Sequence, residues 1–530
     1  MSSRRSRSAL VEALLGFVGL GFATVVLLAL SSGLAGARFD VLLDPIGWLS
    51  KLDPAAAFDT LSNAAEVIAG VLGIAITVVA IVLELAANRY SHRITWLFVR
   101  EPVNIIVLSL FVLTTLQCVW VAATLGGPLP VQSGEALIPS AGFAITLALV
   151  TISLLALLPY FNFVFAFLSP INMIEKIRGG ALDRIARVNE RNLERHQAAV
   201  EQAIDELQEV ARSASEQSDR SIAMATVEAL AKLIEDYSPL RARLPADWFR
   251  IGPEVASDPD FVSLSPSALR GIETSGTWLE VKVMEQYLAL MALCVPKERD
   301  IANLISIKTV GIATGVGRDR AELRALCRRC MNSFLRTTIN AKDPRSTYYI
   351  MNQYRLMAES SMADGLREEV MQIAGYLKYY GNLGYEAGMP FLLETAAHDL
   401  VELIETDLVD SGALTDSLLT LLLDLDREIR DESQEKTLLG VRRSQMQLGA
   451  LFLARGEQER ADRVVADLAM EEPNRIAQLL RLLDEAQDPE YWEFTARGVN
   501  FAYVEPERRE QLPKLADQVR RARSNAHPAG

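Results

Sequence analysis

The chain has 530 residues, of which 50% are hydrophobic and 23% charged, and its formal net charge is −14. This acidic balance argues against a nucleic-acid partner, because phosphate binding requires a basic face. The long apolar runs lie almost entirely within residues 1–170, where 8 basic and 9 acidic side chains nearly cancel. We therefore predict a membrane domain over residues 1–170, followed by an acidic part outside the bilayer.

Four stretches of the first part are long enough to cross a bilayer, which takes about 20 apolar residues in a helix. They are residues 9–34, 61–87, 103–125 and 140–168. Basic side chains concentrate before the first stretch, between the second and third, and after the fourth. This asymmetry predicts that both termini are cytoplasmic. The expected location is an inner (cytoplasmic) membrane, with the lipid bilayer as a partner.

Glu84 is a carboxylate near the end of the second predicted span. A span of about 20 residues that begins at Ala65 ends at Glu84, which predicts a boundary residue at the cytoplasmic surface. Asn88 and Arg89 follow one helical turn later and can meet the carboxylate. The alternative is a pore-mouth or gating group, together with Gln117 of the third span, in an oligomeric channel.

From residue 171 onward, apolar residues recur at helical spacing almost throughout. We predict long juxtamembrane helices over 171–237, a loop rich in proline over 238–267, and a cytoplasmic helical domain over 268–519. Residues 520–530 are polar and are predicted to be a disordered tail. The expected fold class is all-α, with four transmembrane helices followed by a large, solenoid-like helical domain.

Residues 442–473 match the tetratricopeptide pattern, in which small residues let two antiparallel helices nest. No neighbouring copy is evident, and a single repeat cannot bury its own apolar face, so it must pack on surrounding helices. We expect a structural hairpin within a larger helical array, with a peptide-binding groove as the alternative. The residues at the expected spacing are Leu448, Gly449, Phe452, Gly456, Ala461, Val465 and Pro473.

Two short patterns stand out, one after the second predicted span and one within the helical part. Leu-x-Leu-Ala at 83–86 leads into Tyr90, Ser91 and Arg93, and a turn between two predicted helices contains Asn340, Asp343 and Pro344. Both resemble a family of bacterial predicted membrane proteins, domain of unknown function 2254. Two extra residues in the turn make this chain a divergent member. The resemblance implies a membrane domain followed by a cytoplasmic helical domain, and it implies no activity.

The 340–344 turn has a simple structural interpretation. Asn340 or Asp343 can cap free N–H groups, and Pro344 suits the first position of a helix. The alternative is an interaction turn that contacts a ligand or partner.

Motifs for catalysis or metal binding are lacking in the sequence. Cys327 and Cys330 form a C-x-x-C pair, but no second pair or nearby histidine completes a zinc site, so structural thiols are favoured over a metal or redox centre. The glycines of "GIATGVGRD" (311–319) lack the Lys-Ser/Thr that grips phosphate. We expect no enzyme, no cofactor and no metal.

These observations together favour a membrane-anchored helical domain that binds a protein partner or its own copies. The predicted role is that of a scaffold or signalling protein, and we expect a homo-oligomer. The alternative is a homo-oligomeric ion channel that the cytoplasmic helices gate.

Overall fold

The structure is a computed structural model that describes residues 54–89, 102–126, 137–425 and 438–526, except residues 296, 494 and 496. The chain divides into two compact units, Met1–Gly179 and Gly180–Gly530. Within the described residues the secondary structure is helical, apart from one isolated β-bridge between Glu490 and Val499.

The described part of the first unit contains three long apolar helices, α1 (Pro54–Arg89), α2 (Pro102–Gly126) and α3 (Leu137–Leu168). Each includes a segment long and apolar enough to cross a membrane: Ala55–Ile81, Pro102–Thr124 and Gly142–Ala166. Three of the predicted spans are thus present as apolar helices. The first predicted span, residues 9–34, lies outside the described residues.

The three helices pack on one another through small apolar clusters. Ile68 of α1, Phe111 and Cys118 of α2, and Val150 of α3 form one such cluster. The remaining surface of these helices is unusually apolar, and Ile74, Leu113 and many similar side chains are exposed. In a soluble protein such a surface would promote association, whereas lipid chains cover it at no cost.

A shorter helix, α4 (Pro170–Ala186), contains the boundary between the two units. The helices that follow are α5 (Leu193–Glu216), α6 (Arg220–Tyr237), α7 (Pro253–Ser257), α8 (Pro259–Val262), α9 (Pro266–Ser275), α10 (Trp278–Cys294), α11 (Arg299–Thr314), α12 (Ala321–Asn340), α13 (Pro344–Ala363), α14 (Arg367–Glu386), α15 (Phe391–Asp410), α16 (Thr415–Leu423), α17 (Leu439–Arg455), α18 (Gln458–Leu468), α19 (Pro473–Glu485), α20 (Pro506–Arg509) and α21 (Leu512–Ala526).

Residues 187–192 interrupt the long juxtamembrane helices that the sequence predicts over residues 171–237. Two asparagine side chains bind the backbone here. Asn192 accepts from the Asn189 N–H at 2.7 Å and donates through Nδ2 to the Arg187 carbonyl at 3.1 Å, and Asn189 Oδ1 accepts from the Arg191 N–H at 3.0 Å. Such side-chain bonds compete with helical bonds, and the chain turns at this point.

Residues 238–267, predicted as a loop, contain short helical segments instead: two 3-10 turns, α7, α8 and the start of α9. Prolines stand at the first or second position of several of these segments, where the missing N–H costs nothing. Trp248 anchors the segment in the core, and its indole N–H donates to the Tyr237 hydroxyl at 3.1 Å.

In the second unit, helices adjacent in the chain pack pairwise, as α13 does with α14 and α14 with α15. The α14–α15 contact is especially close. A methyl group at Gly381 would lie 2.6 Å from the Ala396 Cβ, so only glycine fits at this position. This packing positions α15 beside α13, which it also contacts.

The last described helix, α21, extends to Ala526 and thus into residues 520–530, which the sequence predicts as a disordered tail. The Arg523 guanidinium bonds to the Glu471 carbonyl and to the Glu472 carboxylate, the latter at 3.0 Å. Through these contacts the end of α21 is held against the residues just before α19. The polar sequence of residues 520–530 gives no sign of this interaction.

Candidate functional site: a carboxylate-lined cleft

An open cleft of about 550 Å³ lies between α13 and α15. Its walls come from residues spaced three or four apart, which places them on one face of each helix. Four of the eight lining residues carry carboxylates, three are apolar, and one is a threonine. The lining residues are Glu359, Met362, Ala363, Glu402, Glu405, Thr406, Val409 and Asp410.

Two arginines partly neutralise the carboxylates of the cleft. The Arg355 guanidinium contacts Glu359 and lies 3.9 Å from Glu402. Arg508 pairs with both oxygens of Glu405 at 2.6 Å, in the forked geometry that suits guanidinium and carboxylate. Because two guanidinium groups face four carboxylates, the cleft keeps a negative charge.

The acidity of two cleft residues is shifted. Burial raises the pKa of Glu359 and of Glu402, and the neighbouring Glu405 carboxylate raises the pKa of Glu402 further. Arg355 opposes both shifts. A bound cation would stabilise the ionised carboxylates and relieve their repulsion, so the cleft is suited to a positively charged ligand.

Asp399, which is fully buried on α15, connects the cleft with a distant part of the chain. Its carboxylate pairs with Arg497 and lies 3.5 Å from Arg355 Nε. The Arg497 guanidinium also stands 4.3 Å from the centre of the Tyr348 ring. The buried ion pair thus joins the cleft to the segment that contains Arg497.

His398 lies beside the cleft, with Nδ1 3.7 Å from the Glu402 carboxylate, but its environment favours packing over acid–base chemistry. Burial lowers the pKa of the imidazole to about 4, so the ring is neutral at pH 7. The ring stands edge-on to Phe501, with 3.9 Å between their centres.

A second group of ionised side chains surrounds Lys282, whose side chain is only 2% exposed. The ammonium group lies 2.8 Å from Asp205, 2.7 Å from Asp258 and 2.7 Å from Asp260. The spacing of these three carboxylates would also suit a metal ion. The Lys282 ammonium already lies between the three carboxylates. We therefore interpret them as the ion-pair partners of a buried lysine and not as metal ligands.

Glu201 adds a fourth carboxyl group beside Asp258. Burial is the main cause that raises its pKa, and a hydrogen bond to Asp258 and the charge of that carboxylate add to the effect, which brings the value to about 8. The two groups therefore share one proton at neutral pH, as close buried carboxyls do.

Glu84 is exposed on α1, three residues beyond the end of the candidate span Ala55–Ile81. Its position at the membrane boundary stays a prediction. Asn88 and Arg89 end the same helix, but their side chains are not among those described. Gln117 is half-buried within α2. A role for these residues in a pore stays a prediction.

Hydroxyl groups of the described spans mostly bond within their own helices. Thr77 donates to the Gly73 carbonyl at 2.8 Å, and Thr146 donates to the Gly142 carbonyl at 2.7 Å. The buried hydroxyls of Thr114 and Ser153 bond each other across α2 and α3 at 2.9 Å.

The 340–344 turn connects α12 and α13. Asp343 is the N-cap of α13 and accepts hydrogen bonds from the Ser346 N–H at 3.4 Å and the Ser346 hydroxyl at 2.7 Å. Arg299 lies 3.2 Å from the same carboxylate. Pro344 occupies the start of the helix, and Asn340 is exposed. The Asp343 carboxylate is thus occupied by intramolecular partners.

The segment 442–473 contains α17 from its fourth residue onward, all of α18 and the first residue of α19. A methyl group at Gly449 would lie 3.1 Å from a Val464 methyl, so the two helices approach closely there. Gly456 ends α17 with φ +76°, a value that favours glycine. Leu448, Phe452, Ala461 and Val465 are buried, and Pro473 begins α19.

Cys327 and Cys330 are free and buried on α12. Burial raises the pKa of both thiols, that of Cys330 to about 12. Both side chains are therefore protonated at neutral pH, which disfavours nucleophilic or metal-binding roles.

The cleft and the Lys282 group are absent from the sequence predictions. The three-residue spacing of Glu402 and Glu405 indicates that they share one face of a helix. Such pairs are common in acidic helices, so the spacing alone does not indicate a cleft. The partners of Lys282 lie 22 to 77 positions earlier in the sequence. Only the packing of the helices brings these groups together.

No curated protein and no solved structure matches the chain. One family model, described as predicted membrane protein, domain of unknown function 2254, matches residues 5–239. The match includes the pattern at 83–93, whereas the turn at Asn340, Asp343 and Pro344 lies outside it. Over residues 5–239, the chain is therefore similar to the predicted membrane protein family of domain of unknown function 2254, the family that its sequence patterns resemble.

Proposed function

We propose that this protein is a bacterial inner-membrane scaffold or signalling protein whose cytoplasmic helical unit binds a protein partner. The proposal includes four spans, with residues 9–34 as the first and both termini in the cytoplasm. It also includes a tetratricopeptide-like role for residues 442–473, as a hairpin that extends the helical array. The basic residues beside the spans support this orientation.

The cleft between α13 and α15 is the observation that carries the proposal. Its carboxylates exceed its arginines, and Met362, Ala363 and Val409 add apolar surface. A lysine or arginine side chain combines an aliphatic stem with a cationic head and matches both properties. The proposed ligand is therefore a basic segment of a partner protein, and the proposed role is non-catalytic.

A photo-crosslinking experiment in cells tests this proposal. Val409 is 82% exposed at the cleft, and Met470, on a different segment, is 84% exposed. With p-benzoylphenylalanine in place of Val409 we expect a discrete cross-linked product, and with the same group in place of Met470 we expect none. Glu402→Gln should abolish the product, and Glu368→Gln, at an exposed position on α14, should not.

Two outcomes would contradict the proposal. One is the same set of products from both positions, and the other is a product at position 409 that Glu402→Gln leaves unchanged. The mass of the product distinguishes a second copy of this chain from another protein.

Channel activity has less support in the described spans, because the threonine hydroxyls named above bond their own helices. It stays an alternative that ion-flux measurements on the full chain in liposomes would test.

A further inference from the structure

Residues 488–493 and 497–500 run antiparallel to each other between α19 and α20, and these two described stretches are called the hairpin below. Glu490 and Val499 face each other in an antiparallel bridge. The Tyr491 N–H donates to the Gly498 carbonyl at 3.0 Å, and the Asn500 N–H donates to the Pro489 carbonyl at 2.9 Å. The hairpin is thus a defined element of the second unit.

The base of the hairpin is held firmly by the helices. The Arg497 side chain is only 5% exposed, and it pairs with the buried Asp399 and donates to the Tyr348 carbonyl at 3.0 Å. Directly after the hairpin, Gln447 Nε2 donates to the carbonyls of Phe501 and Tyr503 at 3.0 and 2.9 Å. These contacts pre-organise the hairpin, so a partner would bind it with little ordering cost.

The hairpin exposes aromatic surface on this rigid base. Trp492 is 80% exposed, and the Tyr491 ring lies 5.7 Å from the Trp492 ring between their centres. By contrast, Trp248 and Trp278 of the same unit are completely buried. Tryptophan and tyrosine that are exposed and well positioned are typical of binding hot spots.

The charge around Trp492 indicates the chemistry of the partner. The segment 481–493 carries exposed acidic side chains against one basic side chain, Arg481. This charge disfavours anionic lipid and nucleic acid. It also disfavours the acidic hairpin of a second copy. The acidic residues are Asp484, Glu485, Asp488, Glu490 and Glu493.

We propose that this hairpin, through Tyr491, Trp492 and the carboxylates beside them, docks an arginine-containing segment of a partner protein. A guanidinium group stacks on the Trp492 ring, and the neighbouring Glu490 and Glu493 pair with it or with a second basic residue. Arginine suits this surface because its planar cation stacks on aromatic faces and also pairs with carboxylates. The inference rests on the proposed function, since it assumes that this unit binds proteins, but it concerns a different surface from the cleft.

Binding of a fluorescent nona-arginine peptide to the full chain in zwitterionic nanodiscs tests the inference. Loss of one cation–π contact is worth about 1 kcal/mol, so Trp492→Ala should weaken binding about fivefold. Met470→Ala removes an equally exposed apolar side chain outside the hairpin and should change binding less than about twofold. Glu490→Gln with Glu493→Gln should weaken binding and reduce its dependence on salt.

The cleft variant Glu402→Gln separates this inference from the proposed function. If Glu402→Gln weakens binding and Trp492→Ala does not, the cleft binds the peptide and the hairpin inference is wrong. If Trp492→Ala weakens binding and Glu402→Gln does not, the hairpin inference holds and the cleft proposal loses its support. If the wild-type chain does not bind the peptide, the hairpin inference fails, and the crosslinking experiment still tests the proposed function.

The fluorescence emission of Trp492 tests whether lipid or a second copy of the chain covers the hairpin. The difference in emission between the wild-type chain and Trp492→Phe isolates this residue from the other five tryptophans of the chain. We expect emission typical of a water-exposed indole without peptide, and a blue shift with it. A blue-shifted, quencher-protected signal in nanodiscs without peptide would mean that lipid or a second copy covers the hairpin, and would overturn the inference.

Discussion

Replacement of Glu201 by glutamine should change how the stability of the second unit depends on pH. Glu201 is buried on α5 and shares a hydrogen bond with Asp258, and its pKa is raised to about 8. An acid whose pKa is higher in the folded than in the unfolded state binds its proton more strongly when folded. The free energy of unfolding therefore falls as the pH rises between the two values.

The size of this change in the free energy of unfolding follows from the pKa shift of Glu201. The ordinary pKa of a glutamate side chain is 4.5. A shift of one pKa unit corresponds to about 1.4 kcal/mol, which sets an upper limit of roughly 5 kcal/mol for the stability lost between pH 4.5 and 8. The positive charge of Lys282 lowers the pKa of Glu201, and the value of about 8 already includes this effect. Allowing for relaxation and water penetration around the group, we expect a loss of about 2 kcal/mol.

Glu201→Gln removes the titration and keeps a donor for the Asp258 carboxylate. The variant should therefore match the wild-type chain at pH 5 and be more stable than it at pH 8.5, by about 2 kcal/mol. Urea unfolding of the full chain in detergent, followed by tryptophan fluorescence, measures this difference. Trp248 reports on the region because Gln197, one turn before Glu201, donates to its carbonyl at 2.8 Å.

Glu194→Gln, at an exposed position on the same helix, is the matched control and should leave the pH dependence unchanged. Asp205 also has a pKa raised by burial, so a smaller slope of the same sign should remain in both variants. The reasoning would be refuted if the wild-type chain and Glu201→Gln differed equally at pH 5 and pH 8.5. A variant less stable at both values would refute it as well.

Three further predictions concern the packing of the second unit. Gly381→Ala should reduce stability by about 1–3 kcal/mol in urea unfolding, because the new methyl would lie 2.6 Å from the Ala396 Cβ. Gly375→Ala, on the same helix with open space around it, should be neutral or stabilise by up to about 1 kcal/mol. Asp343→Ala should cost about 1–2 kcal/mol through loss of the N-cap, and an unchanged urea midpoint would contradict this. The Cys330 thiol should react with a thiol reagent only after unfolding, as followed by mass spectrometry, and rapid labelling of the native chain would show that its burial is wrong.

Local signals predict much of the helical architecture correctly. Pro344 and Asp343 mark the start of α13 because proline fits the first turn and an aspartate side chain can cap it. Three apolar stretches of sufficient length correspond to α1, α2 and α3. Helical periodicity predicts the boundaries less well where side chains bind the backbone. The apolar pattern continues through residues 187–192, but the side chains of Asn189 and Asn192 bond to the backbone and the helix is interrupted there.

The helices, the apolar segments and the resemblance to the family over residues 5–239 follow from the sequence, because each depends on residues a few positions apart. The packing of the helices, by contrast, sets which charged groups meet. Arg497 reaches Asp399 across 98 positions of the chain, and Glu359 faces Glu402 across a cleft formed by separate helices. A carboxylate on a solvated helix face and one crowded in a cleft look alike in sequence. The difference arises from burial and from neighbouring charges, and the packing of helices against one another sets both.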